Sequence, residues 1–211
     1  MIPNLSRPNI SETRGQHWSA LIRKVGERYE KSGLSNYKTS GPEQQKAKTQ
    51  LSEFAENILE HTENSSGIWL YGPAGTGKDH LLTAMMRIAV VNFGLDVTWT
   101  NGTDMFGWFR DAIDNKSSIL ESDILRSFYS PTIVAISDPL PPWGELTPYQ
   151  ASQLLRIVDH RYRDMKPTWV TANFATPEEA KKRLGAQVVD RLRDGALTIF
   201  CNWPSYREAM K

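Results

Sequence analysis

The sequence predicts an α/β fold in which a five-stranded, mostly parallel sheet is covered by helices on both faces. Five short apolar runs alternate with stretches of helical periodicity, and this alternation is typical of parallel sheets. A glycine-rich segment, "GPAGTGKDHLL" at residues 72–82, lies between the first of these runs and a helix. Because open parallel sheets bind ligands at the carboxyl ends of their strands, the segment also indicates where a site should lie.

The composition is that of an ordinary globular domain. The chain has 211 residues, of which 39% are hydrophobic and 23% charged, and its formal net charge is +1. This charge gives no global attraction to nucleic acid or membranes. Cys201 is the single cysteine and stands in an apolar run, so we expect a buried thiol. Since no signal-like amino terminus or membrane-length apolar run is present, we expect a cytoplasmic protein with no membrane partner.

Two helices are expected before the glycine-rich segment. Residues 1–13 contain two prolines and should form a loose arm, and a helix should follow over about residues 18–29. Ser40 and Glu43 have the spacing of a capping box, which predicts a second helix starting at Pro42. Its apolar stripe must face a core and comprises Ala47, Leu51, Phe54, Ala55, Ile58 and Leu59.

The remaining elements alternate between strands and helices. Apolar runs predict strands at residues 67–71, 96–100, 132–137, 167–171 and 197–201. Thr147 before Pro148 opens one of the intervening helices, and Thr176 before Pro177 opens another. The first of these helices carries its apolar face on Ala151, Leu154, Leu155, Val158 and Tyr162.

The glycine-rich segment matches the phosphate-binding loop G-x-x-x-x-G-K-[ST] except at its last position. The residues assigned to a nucleotide are Gly72, Pro73, Ala74, Gly75, Thr76, Gly77, Lys78, Asp79 and His80. Backbone N–H groups from Gly75 to Asp79 would wrap the phosphates, and Lys78 would reach the terminal ones. Within this set, the side chain of His80 is expected to pack or to form a hydrogen bond rather than to bind a metal. The alternative is a glycine-rich turn with a solvated lysine.

Asp79 stands where the motif has a serine or threonine, whose hydroxyl ordinarily binds the Mg²⁺ that accompanies the nucleotide. A carboxylate is a good ligand for Mg²⁺, so Asp79 is predicted to bind the metal directly. Without the metal, the same carboxylate would repel the phosphates. The sequence therefore predicts ATP or ADP binding that depends steeply on Mg²⁺.

Polar residues that follow two later strands are candidates for the same site. Asp138 follows the third run and is predicted to hold Mg²⁺, although a turn-forming aspartate is the alternative. Pro139 occupies the position of an expected water-polarising acid, so hydrolysis is predicted to be slow, and Glu145 is the nearest carboxylate that a loop could bring in. Thr171 and Asn173 form a polar cluster at the end of the fourth run, where the amide could sense the γ-phosphate or orient water, or the cluster could simply form a strand-end turn.

Cationic residues suggest two further surfaces. Arg191 and Arg193 lie on a short predicted helix, where each is either a solvated charge or an arginine finger for the nucleotide of a neighbouring subunit. Basic clusters at residues 46–48 and 181–183 would give weak, salt-sensitive binding of single-stranded DNA, or are solvated helix faces.

With these pieces in order, the chain resembles the AAA+ ATPases of the DnaC/DnaI helicase-loader and IstB transposition-helper group. The resemblance runs from about Leu34 to the end of the chain. It rests on residues 34–58, on the phosphate loop with its following His-Leu, and on residues 145–174 and 184–210. The closing "NWPSYR" is more similar to DnaC-type loaders than to IstB.

The resemblance implies a P-loop NTPase core of three layers, α/β/α, with the phosphate-loop strand central and no C-terminal lid domain. This core would occupy residues 35–211, after an arm and helix in residues 1–34. Loaders of the family use ATP to govern their grip on single-stranded DNA and on the replicative helicase. We therefore expect a helicase-loader-like nucleotide switch, able to form homo-oligomers. An IstB-like transposition helper and a P-loop scaffold that binds no nucleotide are the alternatives.

The resemblance also implies a role for individual site residues. Lys78 would bind phosphate, and Asp138 would bind Mg²⁺. Asn173 would be the γ-phosphate sensor, and Arg191 would be the arginine finger at a subunit interface. Two residues depart from the family pattern. Asp79 replaces the hydroxyl at a position where some loaders carry Asn, and Pro139 replaces the second acid, which affects the expectation of turnover more than that of binding.

Overall fold

The five predicted strands form one sheet in the computed structural model, which describes residues 14–114, 118–141 and 144–207. They are β1 (Ile68–Tyr71), β2 (Val97–Asn101), β3 (Ile133–Ser137), β4 (Thr168–Ala172) and β5 (Leu197–Phe200). Their order is β2-β3-β4-β1-β5, and every neighbouring pair is parallel. The phosphate-loop strand β1 is thus an interior strand paired on both sides, although β4 is the middle strand of the five.

Among the described residues, three helices precede β1 and six lie in the connections between the strands. They are α1 (Arg14–Val25), α2 (Pro42–Glu56), α3 (Ile58–Glu63), α4 (Lys78–Arg87), α5 (Gly102–Ile113), α6 (Glu121–Tyr129), α7 (Pro148–Arg163), α8 (Pro177–Leu184) and α9 (Ala186–Arg193). A 3₁₀ turn at Glu27–Tyr29 follows α1, and a π-helical turn at Ile88–Asn92 extends α4. The predicted arm at residues 1–13 lies outside the described residues. No described helix is both long and apolar enough to cross a membrane.

Two apolar clusters cover the two faces of the sheet. Ile68 and Leu70 belong to one cluster and Trp69 to the other, because successive side chains of a strand point to opposite faces. The first cluster includes residues of α1, α2 and α4, and the second includes residues of α5 to α9. The predicted three-layer α/β/α architecture is therefore confirmed, and α1 packs on the same core as the sheet.

The helix starts were predicted with mixed success. The hydroxyls of Thr147 and Thr176 each accept a hydrogen bond from the backbone N–H three residues later, at 3.3 and 3.1 Å. The capping box predicted for Ser40 and Glu43 is wrong. Instead, the side-chain oxygen of Gln44 accepts from the backbone N–H of Ser40 at 2.6 Å. A glutamine one position later in the first turn therefore reaches the donor that the glutamate was expected to satisfy.

Two residues assigned to apolar stripes are exposed. Leu59 has 49% of its surface exposed, and it lies beyond Asn57, where α2 ends and α3 begins, so the periodicity of α2 does not continue to it. Tyr162 is 42% exposed, whereas the neighbouring Arg161 is fully buried. The core face of α7 is thus rotated by about one residue from the predicted stripe.

Candidate nucleotide-binding site

A cleft of about 560 Å³ opens where β1, β3 and β4 end, a volume within the range of roughly 300–1,000 Å³ that is usual for ligand pockets. The phosphate loop forms one side, and the strand-end residues Ser137, Asp138, Thr171 and Asn173 also line it. Further lining residues come from the chain after α1 and from the carboxyl-terminal segment, namely Arg28, Tyr29, Ser32, Asn36, Tyr37, Lys38, Tyr206 and Arg207. The ends of β1, β3 and β4 meet because the strands are parallel and finish on the same side of the sheet. The other two segments contribute to the same cleft.

The backbone of the phosphate loop has the conformation that an anion cradle needs. Gly72, Gly75 and Gly77 have φ angles of +139°, +83° and +85°, which L-amino acids rarely adopt. Within the described residues, the N–H groups of Gly75, Thr76 and Gly77 donate to no backbone acceptor. The helix α4 begins directly after them at Lys78, so its partial positive charge adds to that of the free donors.

Lys78 is folded back over the loop. Its Nζ donates to the carbonyl oxygens of Gly72 at 2.9 Å and Pro73 at 2.7 Å, and a third contact to the Thr76 hydroxyl is long at 3.5 Å. Burial lowers the pKa of Lys78, while the negative charges of Asp79 and Asp138 act against this shift. Since the third contact is weak, the ammonium retains one donor that can turn to a phosphate.

The carboxylate of Asp79 points to the ends of β3 and β4. Its Oδ1 accepts hydrogen bonds from the Ser137 hydroxyl and from the Thr171 hydroxyl, both at 2.8 Å. The motif normally places a hydroxyl on the loop beside an acid that follows a strand. Here the loop carries an additional acid, Asp79, which bonds to hydroxyls of the strand ends, while the acid that follows β3 is retained as Asp138.

Asp138 is strained and incompletely satisfied. Its φ of +44° lies in the left-handed region, which is uncommon for a residue other than glycine. One carboxylate oxygen accepts from the side-chain amide of Asn173, and the other is buried with no partner among the described residues. Burial raises the pKa of Asp138, the hydrogen bonds from Asn173 oppose this shift, and the charge of Asp79 adds to it. A half-buried carboxylate with one buried, unpaired oxygen beside a second carboxylate favours a cation.

This group of side chains fits Mg²⁺. It presents two carboxylates, Asp79 and Asp138, together with two hydroxyls, and Mg²⁺ prefers such hard oxygen ligands. Of the two hydroxyls, Thr171 was noted with Asn173 as part of a polar strand end but was given no role, and Ser137 was not predicted. Each is the last or next-to-last residue of a buried strand that ends in the cleft, and that position was the sequence signal for them.

Three other predicted residues have different surroundings. His80 lines the cleft, but its Nε2 lies 3.0 Å from the carbonyl oxygen of Gly33, in agreement with a hydrogen-bonding role. Glu145 does not line the cleft and lies 3.8 Å from the Nζ of Lys182. Arg191 lies outside the cleft as well, with one guanidinium nitrogen 2.7 Å from a carboxylate oxygen of Asp159.

Cys201 is a free, fully buried thiol, as expected, and burial raises its pKa to about 12. A thiol with this pKa stays protonated at neutral pH and is a poor nucleophile. It therefore belongs to the packing behind the loop.

Comparison with known proteins gives one family and several relatives. The model of the IstB-like ATP binding protein family matches residues 33–211. The replicative helicase loader DnaC of Buchnera aphidicola (subsp. Acyrthosiphon pisum) is 26% identical over 205 residues, which are 96% of this chain and 80% of that protein. The replicative helicase loader DnaC of Escherichia coli K12 is 28% identical over 199 residues, covering 93% and 78% of the two chains.

Solved structures share the fold. The crystal structure of the DnaC helicase loader superimposes with a TM-score of 0.72 at 20% identity, covering 83% of this chain and 99% of that chain. The replication initiator DnaA bound to AMPPCP and single-stranded DNA gives a TM-score of 0.67 at 18% identity, covering 85% and 51% of the two chains. This chain therefore shares its fold with the DnaC helicase loader and with the replication initiator DnaA.

Proposed function

Because the chain belongs to the IstB-like ATP-binding family, we propose that it is an ATP-binding AAA+ protein of DNA replication that acts as a helicase-loader-like nucleotide switch. The observation that carries the proposal is the cleft in which free loop N–H groups, Lys78 and two carboxylates converge. ATP or ADP would lie with its phosphates along the loop, and Asp79 and Asp138 would hold the accompanying Mg²⁺.

The replicative helicase is the proposed partner. Support comes from the DnaC relatives, which are named as loaders of that helicase and match 93–96% of this chain. An IstB-like transposition helper is the alternative within the same family. Co-elution of the purified chain with the host replicative helicase, with and without ATP, tests the first, and co-elution with a transposase supports the second.

Slow hydrolysis is expected because the cleft offers few carboxylates. Among the described residues that line the cleft, Asp79 and Asp138 are the only acids, and both are assigned to the metal. Pro139 follows where a water-polarising acid is expected, and Glu145 lies outside the cleft. With no third carboxylate to polarise the attacking water, the bound nucleotide should persist.

Replacing the loop lysine tests nucleotide binding. Lys78→Ala should weaken ATP binding about 100-fold, because the change removes a charge-assisted donor to the phosphates. Lys166→Ala is the matched control, since the Lys166 ammonium also donates to a carbonyl oxygen (that of Tyr129, at 2.7 Å) but lies before β4 at the other end of the sheet. Isothermal titration should give wild-type affinity for the control. An unchanged ATP affinity in Lys78→Ala would contradict the phosphate-loop assignment.

We propose that Arg191 acts on the nucleotide of a neighbouring subunit. Its place outside the cleft of its own chain is compatible with this role, and Asp159 would hold the guanidinium until the subunits meet. Mixing Arg191→Ala chains with Lys78→Ala chains should restore some turnover, because one type of interface then has both an intact loop and an intact arginine. No rescue in demonstrated oligomers would make Arg191 a surface charge.

Binding of single-stranded DNA should be weak and salt-sensitive. In the cluster at residues 181–183, Arg183 already donates to the carbonyl oxygens of Pro141, Gly144 and Asn173, and Lys182 lies near Glu145. Few cations are therefore left to neutralise phosphates, and the number of phosphates neutralised sets both affinity and salt dependence. A salt dependence as steep as that of a large basic groove would contradict this proposal.

A further inference from the structure

Two carbonyl groups of the phosphate loop are held by residues outside the loop. The carbonyl oxygen of Thr76 accepts from the indole N–H of Trp203 at 2.8 Å and from the hydroxyl of Tyr37 at 3.1 Å. The carbonyl oxygen of Gly75 accepts from the backbone N–H of Tyr206 at 3.0 Å. These donors come from segments that are distant in sequence, one before β1 and one after β5.

The geometry of the peptide bond turns these contacts into an orientation of donors. A peptide unit is planar, and in the trans form its C=O and N–H groups point in opposite directions. No cis peptide bond is present among the described residues. Fixing the Thr76 carbonyl therefore fixes the N–H of Gly77, and fixing the Gly75 carbonyl fixes the N–H of Thr76. These are two of the free donors that a phosphate requires.

The loop glycines pack directly against the same residues. A Cβ atom built on Gly75 would lie 2.1 Å from the Ser205 hydroxyl, which is far inside van der Waals contact. One built on Gly77 would lie 2.9 Å from the ring of Tyr37 and 3.0 Å from that of Tyr206. Both positions thus need glycine for contact with these segments as well as for their positive φ angles.

The holding residues are themselves firmly anchored. Tyr37 and Trp203 are buried, with exposures of 4% and 8%. The hydroxyl of Tyr206 bonds to the carbonyl oxygen of Lys38 and accepts from the side-chain amide of Gln44 at 3.1 Å. The segment after β5 and the segment before α2 are thereby tied to each other and to the loop.

We propose that Tyr37, Trp203 and Tyr206 form a brace that positions the N–H groups of Thr76 and Gly77 to receive phosphate. The proposal rests on the proposed nucleotide binding and adds a cause for the shape of its cradle. Trp203 does not line the cleft, so it acts through the Thr76 peptide unit and is a positioning residue. By linkage, phosphate must also stabilise the brace by the same factor as the brace improves phosphate binding.

The test compares the removal of single donors. Trp203→Phe and Tyr37→Phe should each weaken the binding of Mg²⁺-tripolyphosphate and of Mg²⁺-ATP by about tenfold, and by the same factor for both ligands. Equal factors are expected because the brace acts on the phosphate cradle alone. Trp169→Phe is the matched control, because Trp169 belongs to the same apolar cluster as Trp203 but its indole N–H has no acceptor among the described residues. The control should bind both ligands with wild-type affinity.

A second readout does not depend on nucleotide binding. In the free protein, the backbone amide resonance of Gly77 should shift in Trp203→Phe and Tyr37→Phe but not in Trp169→Phe. If the wild type binds neither ligand, the proposed function fails, and the Gly77 amide alone decides on the brace. If Trp203→Phe does not fold, Tyr37→Phe decides, since it removes only one oxygen atom.

Three results would overturn the brace. The first is wild-type affinity for both ligands in Tyr37→Phe and in folded Trp203→Phe. The second is an equal loss in Trp169→Phe, which would make the effect a general consequence of smaller core side chains. The third is an unchanged backbone amide resonance of Gly77 in both variants.

Discussion

The two ends of the sheet bury charged side chains in opposite ways. Before β3 and β4, Arg161 is fully buried, and all five of its N–H groups have an acceptor. The acceptors are the carbonyl oxygens of Phe128, Pro131, Thr132 and Pro167 and the hydroxyl of Thr168, at 2.8–3.1 Å. Where the same strands end, Asp138 has one carboxylate oxygen bonded and one without a partner, and a second carboxylate, Asp79, nearby.

The pKa values reflect the same difference. Burial lowers the pKa of Arg161 to about 9, so the guanidinium is still charged at neutral pH and its bonds to carbonyl oxygens are retained. Burial and the charge of Asp79 both raise the pKa of Asp138, so its ionised form is disfavoured in the free protein. A buried charged group whose hydrogen bonds are all made within the chain stabilises the fold. A carboxylate with an unpaired oxygen beside a second carboxylate indicates a ligand site.

Removal of the satisfied charge should have the largest effect. Arg161→Met should lower the free energy of unfolding by about 3–5 kcal/mol, because it leaves buried carbonyl oxygens without donors. Arg163→Met is the matched control on the same helix. The Arg163 side chain is 67% exposed and pairs with Asp159, so its loss should change stability by at most about 1 kcal/mol. Urea unfolding of the three proteins measures both values.

Similar stability of Arg161→Met and Arg163→Met would contradict the claim that the hydrogen bonds of Arg161 stabilise the fold. It would mean that water or other donors reach the carbonyl oxygens once the guanidinium is gone. The buried arginine would then have no structural role that its hydrogen bonds explain.

Neutralising Asp138 should change the free energy of unfolding in the opposite direction. Asp138→Asn should raise the free energy of unfolding of the ligand-free protein by about 1 kcal/mol at neutral pH, because it removes the burial cost of the ionised carboxylate and its repulsion by Asp79. The same change should weaken Mg²⁺-dependent ATP binding, since it removes a proposed metal ligand. Asp190→Asn, at an exposed position on α9, should change neither property.

Urea unfolding without ligand and ATP titration with Mg²⁺ measure the two effects of Asp138→Asn. A loss of stability in this variant would show that the carboxylate is satisfied in the free protein. The contrast between the two ends of the sheet would then disappear.

The fold could be predicted because its signals are local. Apolar runs and helical periodicity located all five strands, and the loop motif located Lys78 and its glycines. Arg161 was missed although it lies three positions after Val158 and seven after Leu154, on the buried face of α7. A charged residue at a core position was the signal, and the predicted stripe instead continued to the neighbouring Tyr162.

The rest of the site is held by contacts between distant parts of the chain. Tyr37 and Trp203 bond to Thr76 across 39 and 127 positions, and Thr171 bonds to Asp79 across 92. No local pattern marks such pairs, because packing and strand order alone bring them together. Lys78, Asp79 and Asp138, which were predicted from the sequence, line the cleft, and the structure adds which groups orient them.

Asp79→Thr tests most directly the placement of a carboxylate where the loop motif has a hydroxyl. ATP affinity should be measured with and without Mg²⁺ for the wild type and for this variant, together with turnover. We expect Asp79→Thr to bind Mg²⁺-free ATP about fivefold more tightly, because a like charge beside the phosphates is gone, and to depend less on Mg²⁺. Wild-type turnover should be very slow. Equal Mg²⁺-free affinities would show that Asp79 does not face the phosphates, and brisk wild-type hydrolysis would contradict the switch.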